Sequence, residues 1–153
     1  MDCTGIDRLL AYDAIGWDFD GTLIEHAKSG LIHQFIRSQP GKRHIVLTFR
    51  SHGLQRQMFR EMRMQYPEAP GTDCFHDVIN IADRAWTAFN EIAEQRLRKQ
   101  YSGPLTKAEL FYVEWKAMVC HRLRVPVLVD DRRDQVLPGC IKYGIAYVHP
   151  DDL

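Results

Sequence analysis

Short β-branched runs alternate with stretches of helical periodicity along this chain, and that alternation constrains the fold more than any other feature of the sequence. Ala14–Asp18 reads as a short buried strand ending on an acid. Lys28–Ser38 places Leu31, Phe35 and Ile36 on a helical repeat and stops at Pro40-Gly41. His44–Thr48 is a second β-branched run. Gly53–Tyr66 is helical, with Leu54, Met58, Phe59 and Met62 on one apolar face before Pro67. The loop signal Pro70-Gly71-Thr72-Asp73 precedes a third strand over Phe75–Ile81. Ala82–Gln100 reads as a charged helix broken at Ser102-Gly103-Pro104, and Lys107–Leu123 as another helix. Val125–Asp130 is the strongest strand signal, again ending on an acid, and Gly144–Val148 supplies a last strand.

Strands separated by helices predict the α/β class: a doubly wound, Rossmann-like, mostly parallel five-stranded sheet with helices on both faces. At 153 residues the chain fits one domain, 1–153, with its own core. Residues 82–106 then form a helical insertion, at most a small cap. In such sheets ligands bind beyond the carboxyl ends of the strands. Asp18, Thr48 and Asp130 each end a predicted strand, which places all three on one rim.

Composition narrows the function. Hydrophobic residues make up 45% and charged residues 26%, as in ordinary globular proteins. No apolar run approaches the ~20 residues that span a bilayer, and the N-terminus lacks a basic region followed by an apolar one. The expectation is a cytoplasmic protein (in the host cytoplasm if phage-encoded) with no membrane partner. Cys3, Cys74, Cys120 and Cys140 have no paired spacing and read as reduced thiols. Neither Cys-x-x-Cys nor His-x-x-x-His occurs to suggest zinc. A formal charge of zero argues against a strongly basic nucleic-acid coat. Arginines nevertheless gather at Arg50, Arg56, Arg60 and Arg63, and again at Arg122, Arg124, Arg132 and Arg133, so a local basic surface stays open.

The chemistry concentrates at Asp18-Phe19-Asp20-Gly21-Thr22-Leu23. With acidic, Gly and Thr usage each near ~5–7%, Asp-x-Asp-Gly-Thr arises by chance in roughly one chain of this length in several hundred. A carboxylate at a strand end can attack phosphorus and form an aspartyl phosphate. A second acid two residues on can protonate the leaving group and later activate water. Asp130-Asp131 adds the hard oxygen ligands that Mg²⁺ prefers. Thr48 offers a hydroxyl and an amide to phosphate oxygens. Lys116 can neutralise the nucleophile and the phosphoryl group, with Lys107 as the other candidate lysine.

Taken together, Asp-Phe-Asp-Gly-Thr-Leu, a hydrophobic strand ending in Thr48, Lys116 and Val-Leu-Val-Asp130-Asp131 resemble the haloacid dehalogenase superfamily in order and approximate spacing. The resemblance spans about Ile15 to Val148. It implies that Asp18 is the nucleophile and Asp20 the general acid/base. It implies further that Thr48 binds phosphate, that Lys116 is the stabilising lysine, and that Asp18, Asp20, Asp130 and Asp131 gather around Mg²⁺. Thr48-Phe49-Arg50, Leu128-Val129-Asp130-Asp131-Arg132 and Gln135-Val136 resemble more narrowly the phosphatase domain of phage-type polynucleotide kinase-phosphatases. Arg50 is then a fork-like phosphate binder, and Arg132 ties loops together near the acids. Phe19 and Phe49 lie where they can contact a base or sugar, although core packing is the more frequent fate of such rings.

The chain departs from those relatives in three ways. It has no Gly-x-x-x-x-Gly-Lys-Ser/Thr and hence no kinase module. Pro138-Gly139 predicts that the element after Arg133 is short or kinked. The 82–106 insertion has no counterpart. Only about 30 residues separate Asp18 from Thr48, too few for a large cap domain. An open site suits a terminal phosphate, a 3′-phosphate first of all, on a nucleic-acid end or a nucleotide. The alternatives are a small-molecule phosphatase acting on a sugar phosphate or mononucleotide, and a catalytically idle binding module.

Overall fold

The computed structural model describes residues 5–81 and 107–153. Its strands are β1 (Ala14–Trp17), β2 (Arg43–Ser51), β3 (Asp77–Ile81), β4 (Val127–Val129) and β5 (Ala146–Val148). Its helices are α1 (Ser29–Ser38), α2 (Gln55–Gln65), α3 (Lys107–Arg122) and α4 (Arg133–Tyr143), with four short 3-10 turns between or beyond them. The strands form one sheet in the order β3-β2-β1-β4-β5, every neighbouring pair parallel. The protein is an α/β doubly wound domain of Rossmann-like type, and the expected "mostly parallel" sheet is parallel throughout.

Side-chain alternation along the strands divides the core into two layers. Ile15, Trp17, Val46, Val127 and Val129 point to one face, where Ile32, Phe35 and Ile36 of α1 and Met58 and Met62 of α2 cover them. Ala14, Ile45, Leu47 and Leu128 point to the other, beneath Ala117 and Cys120 of α3 and Val136 and Cys140 of α4. Helix periodicity explains the pairing of Ile32 with Phe35 and Ile36. Leu31, expected on that face, is exposed, as is Leu54 just before α2.

Two local expectations change. Thr48 does not end its strand: β2 continues to Ser51 with a register shift against β3 between Thr48 and Ser51. Such an irregularity bends a strand and re-aims its side chains. And α4 is not cut short at Pro138 but continues to Tyr143. Its packing explains this, because a Cβ on Gly139 would stand 2.7 Å from Glu114 Cα and 2.9 Å from the Val113 carbonyl oxygen. The missing side chain lets α4 lie backbone to backbone on α3, and that contact outweighs the one ladder bond Pro138 cannot donate. The expected helix Ala82–Gln100 and the insertion 82–106 lie outside the described residues. Among the described residues no helix is long and apolar enough to cross a membrane.

The chain fills the sheet outward from β1 through β2 to β3, then returns to place β4 on the other side of β1. Strand order reverses between β1 and β4, which opens a crevice at their carboxyl ends.

Candidate active site

Asp18 follows β1 directly and Asp130 follows β4 directly, so both acids stand at the crevice. Their backbones are still held by the sheet: Asp18 N–H donates to Val129 O at 2.9 Å, and Asp130 N–H to Val148 O at 3.2 Å. After Asp18 the chain turns tightly, with the amides of Thr22, Leu23 and Ile24 all directed at Phe19 O within 3.3 Å. Gly21 makes that turn at φ 79°, in the left-handed region. Here glycine is required twice, because a Cβ at Gly21 would lie 2.2 Å from Asp131 Oδ2.

Lys116 projects from α3 into this crevice and is 3% exposed. Its Nζ donates to Asp18 Oδ1 and to Asp130 Oδ2, both at 2.6 Å. Asp18 Oδ2 accepts from the Thr22 hydroxyl at 3.2 Å, and Asp130 Oδ1 accepts from Arg132 N–H at 2.8 Å. Of the two candidate lysines, then, Lys116 reaches the acids. The ammonium also sits 4.9 Å from the centroid of Phe49, whose ring packs on Trp115. Thr48 is buried, and its Oγ1 accepts from Arg50 N–H at 3.1 Å, which leaves its own proton to donate. Asp18, Asp20, Thr48, Lys116, Asp130 and Asp131 all line one cleft of about 460 Å³, with Phe49 on its wall.

The electrostatics of this cleft are unbalanced. Burial pushes the Asp18 carboxyl well above the ordinary range; Lys116 pulls it back, while Asp130 and Asp131 add to the rise. Burial alone would lower the Lys116 ammonium, but Asp130 and Asp18 outweigh it and its pKa rises. One ammonium thus serves two of three clustered carboxylates. The third, Asp131, has a buried Oδ1 with no hydrogen-bond partner. Asp18, Asp130 and Asp131 each bring an oxygen within 4.8 Å of the others. All-carboxylate donors, excess negative charge and an orphaned buried oxygen fit a hard divalent cation such as Mg²⁺.

Asp20 stands apart from that triad. Both its oxygens are taken by Arg50, with Nε to Oδ2 at 2.9 Å and Nη2 to Oδ1 at 2.6 Å. Arg50 also pairs with Glu61 of α2 at 3.0 Å, and its guanidinium carbon lies 5.0 Å from the Phe19 ring centroid. Three expectations are corrected here. The Asp20 side chain does not join the other acids as a metal ligand, because the bidentate pair holds it. Arg50 does not stand open as a phosphate fork; Asp20 and Glu61 occupy it, and their bonds raise its pKa. Phe19, expected against the substrate, is 1% exposed within the core of the α1/α2 face. Phe19 shares strand parity with Ile15 and Trp17, and that parity was the signal for its inward direction.

Several contributors have no mark in the sequence. Glu61 anchors Arg50 from α2. Tyr147 of β5 donates its hydroxyl to Asp130 O at 2.7 Å, and a His149 ring nitrogen meets Asp131 O at 3.0 Å. Arg132, expected to tie loops together near the acids, meets Asp130 through its backbone amide, while its side chain is more than half exposed.

No family model matches the chain, and none of the curated proteins matches it. Among solved structures, a crystal structure of an uncharacterized protein from Corynebacterium glutamicum ATCC 13032 Kitasato is similar. It shares 14% sequence identity over 90% of this chain and 84% of that one, with a TM-score of 0.47.

Proposed function

We propose that this protein is a Mg²⁺-dependent phosphoric monoester hydrolase of haloacid dehalogenase type, working in the cytoplasm through an aspartyl-phosphate intermediate. The single observation that carries the reading is the Lys116 ammonium shared at 2.6 Å between Asp18 and Asp130, at the carboxyl ends of the two strands that flank the crevice. A structural ion pair needs one acid per lysine; two buried acids on one lysine, with a third beside them, suit a site built to receive further positive charge and a phosphate.

Asp18 is then the nucleophile. One of its oxygens bonds to phosphorus as the bond from phosphorus to the leaving oxygen breaks, giving the acyl phosphate. Lys116 fixes the direction of attack by holding Oδ1, and the Thr48 hydroxyl donates to a phosphoryl oxygen. Asp20 delivers a proton to the leaving oxygen. It then takes one from the water that attacks the acyl phosphate, which releases inorganic phosphate and restores Asp18. Because both Asp20 oxygens bond to Arg50, Asp20 must give up part of that pair to exchange a proton. Asp18, Asp130 and Asp131 would hold Mg²⁺, whose contribution is to neutralise charge on the phosphoryl oxygens.

The substrate in this reading is a terminal phosphate, a 3′-phosphate first of all, on nucleic acid or a nucleotide. The polynucleotide-phosphatase resemblance of Leu128-Val129-Asp130-Asp131-Arg132 and Gln135-Val136 supports it. The test is hydrolysis by purified protein with Mg²⁺ of a generic phosphate ester, a nucleotide panel and a 3′-phosphorylated oligonucleotide, alongside Asp18→Asn. Activity abolished by the substitution and by chelator is expected. Equal activity in the variant sinks the nucleophile, activity surviving chelator sinks the metal, and hydrolysis confined to sugar phosphates removes the nucleic-acid substrate.

A further inference from the structure

A second cleft, of about 620 Å³, runs between α2 and the sheet-edge strand β3, and Arg56, Phe59, Arg60, Arg63 and Asp77 are among its lining residues. The three arginines are exposed and recur at i, i+4 and i+7, on one face of α2. None forms an ion pair with a described residue. The one acid of α2, Glu61, is engaged by Arg50. Like charges one turn apart weaken a helix, and Arg56 lies in the first turn, where the helix dipole disfavours a cation. A face that needs only solvation is satisfied by mixed charges; this helix face concentrates a single sign on a chain whose formal charge is zero, and Asp77 is the one acid among the described residues that line the cleft.

We propose that Arg56, Arg60 and Arg63 bind the phosphodiester backbone of a single-stranded nucleic acid whose terminal phosphate enters the cleft at Asp18. The proposal deepens the phosphatase reading and rests on it for the terminal phosphate alone. Guanidinium groups match phosphate oxygens in charge and geometry. Phe59, half-buried against the core and packed on Phe75 with ring centroids 5.6 Å apart, lines the same cleft as the arginines, and strand-binding grooves use such rings to stack unpaired bases. That ring is why a single strand, rather than a duplex, is the occupant. Placement fits as well. α2 follows β2, which carries Thr48 and Arg50, after one short turn, so Arg56 opens the stripe near the rim. From Arg56 to Arg63 the helix advances about 10 Å, enough for the phosphates of a few nucleotides.

The test separates this stripe from the catalytic reading. Wild type and the Arg56→Gln/Arg60→Gln/Arg63→Gln triple variant are titrated, by fluorescence anisotropy at several salt concentrations, with a labelled single-stranded pentamer ending in a 3′-hydroxyl. That probe carries no terminal phosphate and reports on the stripe alone. Wild type is expected to bind with a steep salt dependence. The variant should bind about tenfold or more weakly, with its log–log salt slope reduced by about 1.4–2, the contribution of two to three phosphates on a single strand. In parallel, kcat/KM on a 3′-phosphorylated pentamer should fall by about the same factor, while a mononucleoside 3′-phosphate is hydrolysed as by wild type. Equal pentamer binding by the two proteins overturns the proposal, as does equally tight binding of polyglutamate or of a duplex. Absence of all hydrolysis alongside stripe-dependent binding overturns the phosphatase reading and leaves the stripe standing.

Discussion

Replacing Asp131 by Asn should make the metal-free protein more stable and the metal-dependent gain in stability smaller. Three carboxylates cluster at Lys116, but each Lys116 bond goes to Asp18 or Asp130. Asp131 Oδ1 is buried with no donor. An unsatisfied buried acceptor costs about 1–3 kcal/mol, and proximity of like charges adds to that. Asn keeps the shape, removes the charge and can donate to Asp18. A gain of about 1–2 kcal/mol in chelator is therefore expected, or a Tm rise of about 2–8 °C for a chain of this size. Mg²⁺ reverses the order. At a free concentration one hundred times its Kd it stabilises wild type by about 2.7 kcal/mol, whereas the variant, one ligand short, gains less. Thermal melts of both proteins in chelator and across a Mg²⁺ series read all of this. A variant that melts below wild type in chelator, or a wild type indifferent to Mg²⁺, refutes the reasoning.

Lys116→Met leaves two buried acids without a counter-charge. It should cost about 3–5 kcal/mol in urea unfolding at neutral pH without metal, with part recovered on adding Asp130→Asn. Asp20→Asn should lower kcat by about 10²–10⁴-fold on alkyl phosphates, whose leaving oxygen needs a proton, and far less on a nitrophenyl ester, a contrast that steady-state kinetics on the two substrates measures. His44 accepts from Trp17 Nε1 at 3.1 Å through Nδ1, and its Nε2 faces Gln39 O at 2.9 Å, an arrangement that holds the ring neutral. Burial lowers its pKa below the usual 6.5, with the Gln39 carbonyl opposing. The unfolded chain thus takes up a proton near pH 6.5 that the folded chain refuses. Stability is full above that pH and is lost as pH falls through the lowered folded value. Urea midpoints between about pH 7.5 and 5 should show the decline, and His44→Gln should make it shallower, with buried His33, whose pKa is lowered in the same way, carrying the remainder.

Much of the site was legible because its signals are local. β-branched runs ending on Asp18 and Asp130 mark strand ends, and Gly21-Thr22 marks a turn away from the sheet. Parallel strands then bring those ends to one rim whatever the details of packing. Strand parity also carried the inward direction of Phe19, two residues beyond Trp17.

What the tertiary structure alone decided are relations between elements. Lys116 rather than Lys107 reaches Asp18 because the register of α3 on the sheet, set partly by the close approach at Gly139, aims that residue across 98 positions of sequence. Arg50 is held by Asp20 and Glu61, two partners from different parts of the chain that no spacing encodes. Sequence by itself determined the α/β alternation and the acids at the strand ends, since both follow from local periodicity. The sharing of one ammonium between two acids, and the clasp on Asp20, depend on distances that exist only once the helices are packed.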